Sequence, residues 1–558
     1  MILQFNNSIN KHMPFLKLSI ITCLLLFFMG MVQAQTNTAD TTGKKTITII
    51  HADTYNFQNK DTLGQFIALV GHAEVQQGKT LFYADSIVLD QKQNILEAFG
   101  NVHINDADSV QTYSQYLKYL GKEKKAFLKN KVKLTDGKGV LTTNELEYDT
   151  QIKIGNYTNG GKVVNGKTVL TSKEGTYYGD TRDVIFKKNV VLTDPEYKIY
   201  TDTLLYNINT NITTFVSPSK VINGNRTIKV SDGYYDLKHK IANFGKRPFI
   251  DDSTYTFTSD YMAFNDSTGL GEFQGNAVYR SKDSIGGYDI IANNIKTNKK
   301  EDAFLATEQP ILLIKQEKDS IYVGADTLKS GRLSTLTKTR AVPVIRDSLG
   351  AANRLLIDSA AAVKDSSTNR YIEAYHHVKI FSDSLQAVGD SLFYSLHDSA
   401  FRLFTQPIVW SNENQITGDT IYLFLANKKP KELTVFENAL TISKVGTGYY
   451  NQVRGNIMHA FFSDGRINYL TTRGTPADNV YYVEDDNHKF IGVNKSTCSV
   501  IDAYFDNGEI QKVVFINDLK GDMNPMNQID HTSLRVRGFK WQDKLRPKSK
   551  FSILSNTE

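Results

Sequence analysis

The residues of this chain that could do chemistry recur at intervals. Acids, amides and one serine stand about thirty residues apart at Asp85, Gln115, Asn144, Glu174, Asp202, Asp232, Asp260, Asn293, Asp326, Asp390, Asp419, Asn456 and Ser499. Periodic carboxylates could cleave glycosides, as in carbohydrate-active β-helices. Such an enzyme concentrates carboxylates with Lys or Arg on a few neighbouring rungs. Here the acids are spread evenly and change identity from copy to copy, which fits a hydrogen bond at a chain bend better than catalysis. His376 and His377 are the one adjacent His pair. Neighbouring strand residues point to opposite faces, so they share one metal poorly. No nucleophile motif, phosphate loop or metal-spaced cluster is present. The reading is non-enzymatic: no catalytic residue, no metal ligand, no cofactor.

The elements that position these residues follow from the text between them. Two and four residues beyond the register points the side chains are mostly apolar or aromatic: Ile87 and Leu89, Leu117 and Tyr119, Leu146 and Tyr148, Leu204 and Tyr206, Met262 and Phe264, Leu392 and Tyr394, Ile421 and Leu423, with Tyr178 in the Glu174 copy. Period-two patterning marks a strand with one buried face. Polar turns follow, rich in Asn, Asp and Gly, which tolerate the positive backbone angles of hairpins. A second strand returns through a Phe, as at Phe99, and then meets an Asn or Pro slot that marks a bend. Each unit is a bent hairpin that cannot bury its own apolar face, so units stack. The 29 Tyr and 30 Phe favour strands. Between Asp326 and Asp390 the interval is about double, which fits one extra copy plus an insertion.

At the N-terminus, Lys11 and Lys17 precede an apolar run from Leu18 to Val32 and a small-residue site at Ala34. This reads as a secretory signal cleaved after Ala34. The alternative, an uncleaved anchor, would want about 20 apolar residues. Without the signal only Cys498 remains, so no intrachain disulfide can form. The net charge of +6 falls to +4 once Lys11 and Lys17 leave with the signal, which is too mild to argue for nucleic acid. The C-terminal text is the exception: Arg535, Arg537, Lys540, Lys544, Arg546, Lys548 and Lys550 face only Asp543. It reads first as a solvated tail, and second as a contact for anionic lipid headgroups or an acidic partner. The expected division is a signal peptide (1–34), a linker (35–46), repeats (47–334), an insertion (335–369), repeats with longer loops (370–520) and a basic tail (521–558).

The run Ala84-Asp85-Ser-Ile-Val-Leu-Asp90 followed by Phe99-Gly-Asn-Val-His-Ile104 resembles the OstA/LptA family of lipopolysaccharide-transport proteins. The text Cys498-Ser-Val-Ile-Asp-Ala-Tyr-Phe-Asp-Asn-Gly508 is similar to the C-terminal part of Bacteroidota-type OstA-like proteins. The resemblance spans roughly residues 47 to 520. It implies an all-β fold, an elongated antiparallel β-jellyroll solenoid of about thirteen bent hairpin repeats. It also implies a periplasmic bridge whose apolar groove shelters acyl chains and hands lipopolysaccharide from an inner-membrane extraction complex to an outer-membrane translocon. Partners would extend the sheet edge to edge. The inward residues named above, with Phe99, would line the groove, although each taken singly reads first as sandwich core. Tyr119, Tyr148, Tyr178, Tyr206 and Tyr394 suit a groove mouth. The chain departs from the short bridge protein in being several times longer, and from the outer-membrane component in lacking a barrel. The alternatives are a structural or adhesive β-solenoid rod, which predicts a filled interior, and a carbohydrate-active β-helix enzyme.

Overall fold

Alternating apolar and polar residues make strands, and these strands are long enough to bend. In the computed structural model, β1 (Thr48–His51) and β2 (Thr54–Lys60) are the two arms of a first layer. β3 (Gly64–Gln77), β4 (Thr80–Asp90), β5 (Ile95–Asp106) and β6 (Val110–Leu120) then each double back on the strand before. The described residues are 47–553 apart from 61–63, 107–109, 285–286, 318–319, 343–344, 347–351, 354–368, 427–428, 464 and 507–508. The expected signal peptide and linker, and most of the expected insertion, lie outside them. Among the described residues, 40 strands join in one hydrogen-bonded antiparallel sheet. The all-β expectation holds, and Asp53 heads one unit upstream of those expected.

One local device repeats through the stack. Two successive residues with positive φ stand opposite a single register residue. The pairs are Gly71–His72, Gly100–Asn101, Asn130–Lys131, Lys188–Asn189, Lys246–Arg247, Gly275–Asn276, Glu308–Gln309, His376–His377, Thr405–Gln406, Glu437–Asn438 and Asn517–Asp518. Pairing breaks there, as between Tyr83 and Ser86 of β4, and the layer folds into two arms. A left-handed residue other than Gly costs about 1–2 kcal/mol, so something must hold it. The register residue supplies two bonds. Its N–H donates to the first residue of the pair, as from Asp53 to Gly71 (2.9 Å), Asp260 to Gly275 (2.8 Å) and Asp419 to Glu437 (3.0 Å). Its carboxylate accepts from the second: Asn101 on Asp85 (3.0 Å), Asn276 on Asp260 (2.8 Å) and Asn438 on Asp419 (3.1 Å). Asp53, Asp85, Asp260 and Asp419 are therefore bend residues.

The His pair occupies the same slot. His376 Nδ1 lies 3.2 Å from Asp390 and His377 Nδ1 lies 2.8 Å from Asp326. The two rings serve bends on opposite neighbours. The residue before the bend is small and buried, and its hydroxyl donates to the carbonyl two residues on in Ser114, Thr143, Ser172 and Ser259. Cys498 fills this slot with a thiol, 3.1 Å from the Val500 carbonyl.

The arms form two walls. Ser86–Asp90, Ile95–Phe99 and Tyr116–Leu120 belong to the first; Thr80–Ala84, Val102–Asp106 and Val110–Ser114 belong to the second. Their inner faces meet in one apolar cluster that runs from Ile67 to Ala503.

Two expectations are corrected. No extra copy stands between Asp326 and Asp390, because Thr327–Arg332 pairs directly with Arg370–Phe381. Among the described residues the rest of the interval belongs to the insertion, which begins with α1 (Leu333–Thr339), whose Leu333 and Leu336 pack on Tyr371 and Phe393. Nor is the tail solvated. It runs back over the outer face of the second wall and meets strands in reverse order. Leu534 packs on Val480, Tyr482 and Val493. Val536 N–H donates to Gln452 Oε1 (2.9 Å), and Gln415 binds both the Lys540 carbonyl and the Gln542 N–H at 2.7 Å. Arg546 donates to Gln386 (2.8 Å), and Ile553 lies on Gly324. All three glutamines are buried. Sequence reading missed this strap because its anchors are isolated residues without a period.

Gly100 tests the bend. A Cβ there would come within 2.2 Å of the Asp85 carboxylate, whereas one at Gly137, also at positive φ, would meet nothing within 4 Å. Gly137→Ala is expected to cost the backbone term alone, about 1–2 kcal/mol. Gly100→Ala should cost about 1 kcal/mol more, since it also displaces the Asp85 bond. Equilibrium urea unfolding measures both; equal losses would show that Asp85 does not hold the bend.

Candidate functional site

The bend fixes parity on both arms, and parity decides what enters the interior. Ile87, Leu89, Leu117, Tyr119, Leu146, Tyr148, Leu204, Tyr206, Met262, Phe264, Leu392, Ile421 and Leu423 all point between the walls and are buried. Tyr394 is half-buried against the same cluster. Two residues expected with them point outward. Phe99 is 41% exposed on the outer face beside Tyr116. It sits one residue before its left-handed pair, whereas the inward Phe186, Phe244 and Phe273 sit two before theirs; Ala98 takes the inward place. Tyr178 also faces out, and Tyr177 is buried instead. The bend residue of that unit is Lys173, whose N–H donates to Lys188 (2.9 Å), not Glu174. A lysine in an acid slot shifted the expected register by one, and a one-residue shift exchanges faces.

The interior is filled and the outer rims of the two walls are tied together. Tyrosine hydroxyls from the first wall reach polar residues on the second. Tyr119 donates to Gln77 (2.7 Å), Tyr148 to Asp106 (3.4 Å) and Tyr177 to Asp136 (3.3 Å). Tyr206 accepts from Asn165 (2.9 Å) and donates to Asn211 (2.7 Å). In the next unit the Tyr235 and Tyr197 hydroxyls meet, and Tyr197 donates to Asp266 (2.8 Å), which Arg226 also approaches at 3.2 Å. Beyond this the rim contacts become cation–π: Arg226 over Phe264 and Arg370 over Tyr288. A cavity of about 10 Å³ under Tyr177, lined by Leu134, Leu141, Val163 and Ile208, has room for about one water.

Sequence reading found Tyr119, Tyr148 and Tyr206, but not Tyr177 or the polar partners on the second wall. The signal was present: each partner precedes its tyrosine by 42, 42, 41 and 41 residues in the first four ties. Burial pushes the Tyr148 and Tyr177 hydroxyls far above the usual phenol range and lifts Tyr206 to about 12. The ties therefore stay protonated donors at any physiological pH. Among the described residues no group of acids, histidines or cysteines is arranged to hold a metal.

Comparison with known proteins gives one family match and a set of solved structures. Residues 44–202 match the family model described as OstA-like protein. That stretch of the chain is OstA-like. The OstA-like stretch contains the first bends and the Gln77–Tyr119, Asp106–Tyr148 and Asp136–Tyr177 ties. A similar solved structure is that of LptH, the LptA-homologous periplasmic component of the conserved lipopolysaccharide transport device from Pseudomonas aeruginosa. It shares 20% identity, with 20% of this chain and 81% of that chain covered and a TM-score of 0.18. No curated protein matches the chain.

The rim makes a pH prediction. Tyr206 has a folded pKa above the phenol value of about 10, so its contribution is complete below pH 10 and is lost as pH rises toward about 12. Tyr206→Phe should cost about 0.5–1.5 kcal/mol at neutral pH. It should also flatten the alkaline fall of the urea midpoint relative to the parent. An unchanged alkaline profile would mean that this hydroxyl is not buried between the walls.

Proposed function

We propose that this chain is a periplasmic, non-enzymatic carrier that moves lipopolysaccharide from the inner toward the outer membrane between its two walls. The observation that carries the reading is the rim. A continuous apolar interior is closed along one side by side-chain hydrogen bonds between the first and second walls, in unit after unit. A net hydrogen bond is worth about 0.5–1.5 kcal/mol, so parting one unit's rim, one to three such contacts, costs a few kcal/mol. A methylene withdrawn from water gains about 0.8 kcal/mol, so a few methylenes of one acyl chain offset that cost. The inward side chains displaced from each other meet hydrocarbon in place of their neighbours. The lipid can then advance by opening the next unit as the last one closes.

The edges suit a bridge. Among the described residues, β2 pairs only with β3, and Glu509–Ile516 only with Phe490–Asp506. Free strand edges accept further strands, so the inner-membrane extraction complex and the outer-membrane translocon would join here by edge-to-edge pairing. A structural or adhesive rod is the second reading, and the filled interior favours it. A carbohydrate-cleaving enzyme is a poorer one, because the periodic acids hold bends.

Photo-crosslinking in cells separates the first two. A photoreactive residue at Tyr148, Tyr206 or Phe264 should label lipopolysaccharide, and one at the outward Ser86 or Thr203 should not. No lipid adduct from any of the three inward positions would return the structural rod to first place.

A further inference from the structure

The strap that crosses the second wall holds the chain's entire net charge. Between Leu534 and Ile553 lie seven basic residues and one acid, Asp543. The whole chain has 65 basic and 59 acidic residues; removing seven and one leaves 58 of each. Lys548 and Arg546 turn toward Asp543, at 2.7 and 3.9 Å. Arg535, Arg537, Lys540, Lys544 and Lys550 are exposed and make no ion pair among the described residues. The backbone that presents them is pinned by Gln415 and Gln452, and Gln386 holds the Arg546 guanidinium, so the strap follows a fixed line. Two large apolar side chains stand out among them, Leu545 at 55% and Phe551 at 69% exposure. Each adjoins a lysine in sequence, Lys544 and Lys550.

We infer that the outward face of this strap docks on a bilayer surface that carries anionic phospholipid headgroups. Fixed cations interleaved with isolated apolar side chains match the headgroup boundary, where the cations meet phosphates and the apolar groups enter the acyl edge. A protein partner would want a contiguous patch of about 800 Å² with a dry centre, and two separated side chains do not make one. Docking is independent of what occupies the interior, so it stands or falls apart from the carrier reading.

Vesicle flotation of the purified chain tests it. The chain should float with phosphatidylcholine vesicles containing phosphatidylglycerol and not with phosphatidylcholine alone, and added salt should release it. Replacing Arg535, Arg537, Lys540, Lys544 and Lys550 by Gln should weaken binding by about fivefold per charge. Leu545→Ser with Phe551→Ser should weaken it about tenfold or more with the charges intact. An unchanged melting midpoint and Trp541 fluorescence would show that the strap keeps its place in each variant. Equal flotation of the parent and the five-residue variant would overturn the inference. So would failure of the parent to float, including the case in which it binds a soluble acidic protein instead.

Discussion

Everything in this fold depends on a bend made of two left-handed residues against one register residue. The bend turns a long strand into two arms and sets which side chains face inward on each. It is costly for the backbone, and the register residue offsets the cost with its N–H and, in most units, its carboxylate. Because the same bonds recur from Asp53 to Asp419, each layer presents its apolar face to the same interior. The small residue before the bend follows from the same geometry, since the walls are closest there and Ser114, Thr143 or Cys498 must also satisfy a carbonyl.

The two ends of each arm are built differently. At the bend, backbone and side-chain bonds make a joint that repeats with little variation. At the rim, the walls are held by one to three side-chain contacts in each unit: Tyr119 and Lys124 on Gln77, Tyr148 on Asp106, Tyr177 and Arg182 on Asp136, and Asn165 on Tyr206, Ile208 and Asn211. A structure strong at the joint and weak at the rim can open along the rim while keeping its sheet intact. The backbone ladder runs along the stack and is not broken by such a motion. The C-terminal strap adds a brace across the outer face of the second wall from Val493 back to Gly324.

Much of this was legible in the sequence, because a repeated joint leaves a repeated mark. The Asp85 and Asn101 slots, the inward pairs such as Leu117 and Tyr119, and the small residue before the bend all recur. Errors arose where the mark was altered. Lys173 replaces an acid and moved the inward tyrosine from Tyr178 to Tyr177. Phe99 lies at a different distance from its bend than Phe186 and so faces outward. The long interval after Asp326 was counted as containing a copy, although the sheet passes directly from Thr327–Arg332 to Arg370–Phe381. The strap was illegible because Gln386, Gln415 and Gln452 bind it through single amides, and nothing in their neighbours announces a contact 84 to 160 residues away.

The central claim is that the two walls part along the rim when lipid enters. Lys79 and Lys122 sit on turns at the outer ends of the second and first walls, beside the Gln77–Tyr119 tie. Spin labels at these positions, read by pulsed electron–electron double resonance, measure the gap directly. The account predicts one short distance in the lipid-free chain and a longer, broader distribution once lipopolysaccharide is bound. An unchanged distance with lipopolysaccharide bound would contradict it.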